Sequence, residues 1–167
     1  MLANLERHAA RVARILALGA AAVLLALALA TMADVLLRKF ANRPIHGFND
    51  VATLATAIII AACFPALLVA RANVTIRIVG SALGTRAARW LDAFGALVTA
   101  AFFVLMAWQY VRFSAELSRS GEATAILRWP IAPWWWVVAA LVAVTALAGL
   151  VVLARAVRDA ADAAPDP

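Results

Sequence analysis

Uncharged residues fall into four long runs separated by short charged segments: Ile15 to Ala33, Val51 to Ala70, Ala93 to Val111 and Trp129 to Ala154. Each is close to or above the roughly 20 residues that a helix needs to cross a hydrocarbon core of about 30 Å. The pattern predicts an all-α integral membrane fold with four transmembrane helices, over about residues 15–37, 51–70, 90–112 and 131–154. They form a single membrane domain over residues 1–159, because the connecting segments are too short to hide a soluble domain. The remaining Ala/Asp/Pro stretch, 160–167, reads as a disordered tail. Arg7, Arg11 and Arg14 ahead of the first run give it the look of a secretory signal. Its apolar stretch exceeds a signal core of roughly 7–15 residues, so an uncleaved span is expected. Asp34 and Arg38 stand four apart, a helical ion-pair spacing that carries the first helix past the hydrocarbon edge.

The second connector has a pattern of its own. At about 3.6 residues per turn, Ile76, Val79, Leu83, Ala87, Trp90 and Phe94 fall on one stripe, with Arg77, Ser81, Thr85, Arg89 and Asp92 opposite. An amphipathic segment over about 74–89, lying in the membrane interface, is expected. Arg112, Glu116 and Arg119 continue helical spacing beyond the third run up to Gly121, so that helix should extend from about Arg86 to Ser120. The fourth run opens on Trp129-Pro130-Ile131-Ala132-Pro133-Trp134-Trp135-Trp136, with prolines placed at a helix start and indoles at headgroup depth. Arg77, Arg86, Arg89, Trp90, Trp129, Trp134, Trp135 and Trp136 are thus the expected membrane-interface anchors.

Composition sharpens the class. The chain has 167 residues, of which 66% are hydrophobic and 14% charged, against the near-even apolar content and quarter-charged makeup of soluble domains. Its net charge of +6 sits in segments flanking apolar runs. Membrane lipid headgroups, and no nucleic acid, are the expected partners of that charge. Nine Lys and Arg lie in the N-terminal segment, second connector and tail, against six in the other two connectors, which places both termini in the cytoplasm.

Chemistry inside the spans is sparse. Thr31, Thr53, Thr56, Cys63, Thr99, Gln109 and Thr145 are the polar candidates, and no Asp, Glu, Lys or Arg falls near a midplane, where a pump or carrier holds its relay. Cys63 is the single cysteine, and His8 and His46 fall outside the spans on opposite sides. No disulfide, metal site, haem-ligating pair or other cofactor is expected, and no catalytic set for an enzyme. Pro65 is the one interior breaker and is expected to kink the second helix.

Three diffuse segments then look familiar. Asn42-Arg43-Pro44-Ile45-His46-Gly47-Phe48-Asn49-Asp50 is similar to a Pro/Gly turn leading to an acidic residue at the start of span two. Ala70-Arg71-Ala72-Asn73-Val74-Thr75-Ile76-Arg77 is similar to a basic turn after span two, and Ala125-Ile126-Leu127-Arg128-Trp129-Pro130-Ile131 to the stretch before span four. Together with the four-span layout, they make nearly the whole chain resemble the small permease subunit of TRAP transporters, the DctQ-like family. Asp50 stands where that family usually has Glu. Asn73 and Arg77 stand where it often has His and Asp, which removes that pair.

The resemblance implies a non-enzymatic subunit of the bacterial inner membrane associated with a large TRAP permease subunit. A periplasmic substrate-binding protein would deliver an organic acid such as a carboxylate, and a sodium gradient would drive its symport. Ion and substrate sites in that family belong to the large subunit, leaving this chain a scaffold role. Asp50, Arg43, Arg112, Glu116, Arg119 and Glu122 are then the candidate interface to the large subunit or the binding protein. Two other classes stay open at this point. A small membrane subunit of a redox complex would show a cofactor spectrum, and a stand-alone oligomeric channel or exporter would purify without partners.

Overall fold

A computed structural model describes residues 2–69 and 85–161. Four helices account for most of them: α1 over Leu2–Ala41, α2 over Phe48–Val69, α3 over Thr85–Ser120 and α4 over Ala132–Ala161. All four are long and apolar enough to cross a membrane. Residues 74–84 of the expected interfacial segment lie outside the described residues; residues 85–89 form the first turn of α3.

The helices outrun the expected spans at their polar ends. The first was expected to stop at residue 37, yet α1 runs to Ala41, where Asn42 takes a left-handed φ of 48° and Arg43 N–H donates to the Leu37 carbonyl. Left-handed backbone is tolerated by Asn better than by most side chains, which makes it a natural stop. The fourth span was expected to end at residue 154, but α4 reaches Ala161, and Ala160 is buried where a disordered tail was expected to begin. Tail residues 162–167 lie outside the described residues. Charged residues leave the hydrocarbon without leaving the helix, so hydropathy marks the membrane edge and not the helix end. For α3 the polar spacing did mark the end: Ser120 is its last residue, Gly121 takes a φ of 66°, and Gly121 N–H donates to the Leu117 carbonyl.

Packing runs in one order across the molecule. α3 lies along α4, α4 contacts α2, and α2 contacts α1. The buried face of α4 follows helical spacing through Val138, Val142, Thr145, Ala146 and Gly149. Small residues let α3 come close: an added Cβ on Gly149 would sit 3.5 Å from Ala100 Cα, and Ala100 is itself buried. Phe64 of α2 meets Phe103 of α3 edge to face at 5.5 Å. A second cluster, Ala20, Ile59 and Ala62, joins α1 to α2. Pro65 is accommodated within α2, which continues to Val69.

Candidate functional site at the loop end

The two described turns, residues 42–47 and 121–131, lie at the same end of the molecule, opposite the termini. Phe48 begins α2 directly after Gly47, whose φ of 75° is a backbone conformation that only glycine adopts without strain. Phe48 N–H donates to the Ile45 carbonyl, and Asp50 and Val51 donate to that of Gly47, closing the first turn. Asp50 therefore projects from the helix N-terminus, where backbone dipoles favour a carboxylate.

Its partners come from far along the chain. Asp50 Oδ2 accepts the backbone N–H groups of Ile126 and Leu127, each at 2.9 Å. Those donors sit at the tip of a short hairpin-like loop. Thr124 N–H donates to the Trp129 carbonyl at 2.9 Å, Trp129 N–H to Thr124 Oγ1 at 3.1 Å, and Ile131 N–H to the Glu122 carbonyl at 3.1 Å. An isolated antiparallel bridge pairs Ala123 with Pro130, and Arg128 closes the loop with a left-handed φ of 54°. The Leu127 side chain covers Gly47 so closely that any Cβ there would collide with its isobutyl group.

Asp34 does the corresponding work from α1. It is buried, receives Arg38 Nη2 on Oδ2 at 2.9 Å, and accepts Ile45 N–H on Oδ1 at 2.7 Å. The expected Asp34–Arg38 pair is present, and it leaves the second oxygen free to hold the turn that leads to Gly47. Asp34 and Asp50, one link apart through the Ile45–Gly47 turn, thus tie α1, α2 and the loop ahead of α4 together.

Of the other expected interface residues, Arg43, Arg112, Glu116, Arg119 and Glu122 are exposed, and none of them is ion-paired with another of the set. Arg112 lies over the Trp108 ring, 5.1 Å from its centroid. Glu122 contributes its backbone carbonyl to the hairpin-like loop. Among the expected anchors, Trp90, Trp129, Trp134 and Trp136 are exposed, and Trp136 Nε1 donates to Ser118 Oγ at 3.1 Å. Trp135 turns inward instead, stacked on Tyr110 at 5.8 Å and edge-on to Phe113 at 5.0 Å. At the opposite end Arg89 Nη1 donates to the Asp159 carbonyl at 3.3 Å, joining the start of α3 to the end of α4. Arg77 and the Arg86 side chain lie outside what is described.

The threonine hydroxyls of the expected spans are already engaged. Thr31, Thr53, Thr56, Thr99 and Thr145 each donate to the carbonyl four residues earlier in the same helix. The proton of such a hydroxyl is spent within its own helix. Among the described residues no three His, Cys, Asp or Glu side chains gather as a metal site. What the loop end offers is a mechanical junction, three helix ends held by carboxylates on backbone amides.

The sequence was compared with known families, curated proteins and solved structures. The family described as "Tripartite ATP-independent periplasmic transporters, DctQ component" matches residues 27–162, from the middle of α1 to just past α4. No curated protein and no solved structure matches the chain. Two of the three segments that carried the resemblance, 42–50 and 125–131, are the two sides of the Asp50 and Gly47 junction.

Proposed function

The chain belongs to the DctQ component family of the tripartite ATP-independent periplasmic transporters, and from that premise we propose that it is the scaffold of a sodium-coupled importer of an organic acid such as a carboxylate. It is a small, multi-pass subunit of such a transporter. On our reading it sits in the bacterial inner membrane with both termini cytoplasmic. It holds a large permease subunit in the bilayer, and a periplasmic binding protein delivers the substrate to the complex.

The observation that carries the reading is the state of the polar groups in the spans. The uncharged runs contain no acid or base that could form an intramembrane relay, and their threonine hydroxyls are tied to their own helices. A carrier needs polar groups and unwound helix ends near the midplane to bind a solute and its coupling ion. Conversely, much apolar surface faces outward: only 11% of the apolar stretch of α1 and 17% of that of α3 are buried within the chain. A partner subunit and lipid are the two surroundings that suit such surface.

Proteoliposomes containing this chain, the large subunit, or both, with binding protein outside and a sodium gradient imposed, test the proposal. Uptake is expected only with both subunits. Uptake by this chain alone would defeat the scaffold reading, and full uptake by the large subunit alone would show that the support is dispensable.

A further inference from the structure

Arg11, Ile15, Gly19 and Val23 follow at four-residue intervals on α1, each turned about 40° from the last, so they trace a slowly winding stripe. Ile15, Gly19 and Val23 form one wall of a groove of about 610 Å³, faced by α2 from Val51 to Ala62 and by α4 as far as Leu141. Trp129 and Trp134 bound it toward the loop end, and every residue that lines it is apolar or an indole. Arg11 lies one turn before Ile15 on the same stripe, with Arg14 beside it. Both side chains are exposed, and neither has an ion-pair partner among the described residues. The groove therefore combines an apolar interior with cations at its terminal end.

Lining and charge choose the occupant. The α2 wall is ~17 Å long at about 1.5 Å per residue, a little more than half of a ~30 Å hydrocarbon core. An apolar lining that ends one turn short of two exposed arginines suits the tail and headgroup of an anionic lipid. Gly19 keeps it open, since a Cβ added there meets nothing within 4 Å.

We propose that this groove holds one acyl chain of an anionic phospholipid from the leaflet at the terminal end, with its phosphate at Arg11. Arginine pairs with phosphate through two parallel N–H donors, and at a membrane surface a single basic residue contributes enough to bias lipid choice. The occupied groove would stiffen the contact of α1 with α2, where Ala20 packs against Ile59 and Ala62. The proposal concerns lipid alone and stands or falls independently of transport.

The test uses the full chain equilibrated in nanodiscs of equal phosphatidylglycerol and phosphatidylethanolamine, released into mild detergent, with retained lipids counted by native mass spectrometry. The wild-type chain is expected to keep phosphatidylglycerol in preference. Arg11→Gln should retain it about fivefold less well and lose the preference. Gly19→Trp, which places an indole in the open space, should abolish retention, while Gly19→Ala should keep it and serve as the folding reference. If Gly19→Trp melts below that reference, Gly19→Leu replaces it. Arg128→Gln, beside the opposite end of the groove, should change nothing. Equal retention of both lipids by wild type, or retention unaffected by a filled groove, would overturn the proposal. So would a Gly19→Trp chain that keeps its lipid but no longer co-purifies with the large permease subunit, because the groove would then seat a protein helix.

Discussion

The Asp50 carboxylate accepts the Leu127 N–H at 2.9 Å, joining residues 77 apart in the chain. The same oxygen accepts Ile126 N–H, so the α2 N-terminus and the loop ahead of α4 are held by one atom. An amide oxygen can replace a carboxylate oxygen as acceptor, whereas a methyl group leaves both N–H groups without it. Asp50→Asn is therefore expected to assemble and melt close to wild type, and Asp50→Ala to melt several degrees lower in detergent. Loss of assembly with a normal melt in Asp50→Asn would instead show that the charge itself binds a partner subunit.

Gly47 should tolerate no side chain. Alanine there meets two obstacles, the left-handed φ of 75° and the Leu127 isobutyl group. The first alone costs about 1–2 kcal/mol for an L-residue. Leu127→Ala should relieve the second obstacle, so the double variant is expected to be more stable than the sum of the single effects predicts. Thermal melting of the two single variants and the double variant measures this coupling, and strict additivity would deny the contact.

These two relationships mark where sequence reading stops. Four helices were legible because charge is excluded from hydrocarbon, which leaves long uncharged runs in the sequence itself. The Asp34–Arg38 pair was legible for a similar reason, since partners one turn apart on a helix are close whatever the tertiary fold. Asp50 was identifiable as an acidic residue at a helix start, but its partners are backbone amides, which every non-proline residue carries and no letter of the sequence distinguishes. Consecutive tryptophans point about 100° apart on a helix, so Trp134, Trp135 and Trp136, at one depth, could not all face lipid. Which one turned inward depended on Tyr110 and Phe113 of the neighbouring helix.

Topology is the next expectation. Nine basic residues against six predict cytoplasmic termini, with the Asp50 junction on the outer side. Reporter fusions at the C-terminus and in the turn around Arg43 should give cytoplasmic and periplasmic signals respectively. The reverse pattern would move the junction to the cytoplasmic face and remove it from reach of a periplasmic binding protein.

Ser114 is fully buried, and its Oγ has no hydrogen-bond partner in the structure. A buried hydroxyl in that state costs roughly 1–3 kcal/mol relative to an apolar replacement of similar shape. Ser114→Ala is expected to raise the melting temperature of the purified chain. A lowered melt would mean that the hydroxyl is hydrogen-bonded in the purified chain.

The threonines of the spans bear most directly on what the chain does. Thr56, Thr99 and Thr145 lie in three different environments, exposed, half-buried and fully buried, yet each donates to its own i−4 carbonyl at 2.7 to 2.8 Å. Valine matches threonine in shape, and the carbonyl released by the change retains its helical N–H partner, so little should be lost. Stability should fall by less than about 1 kcal/mol at each site. A solute or ion site built on any of these hydroxyls would respond differently, since removing a polar group from such a site commonly costs tenfold or more in affinity. The Thr56→Val, Thr99→Val and Thr145→Val chains are therefore expected to support the wild-type apparent affinity and rate in cells expressing the complete transporter. A raised KM for substrate or sodium in any one of them would place part of the binding site in this subunit.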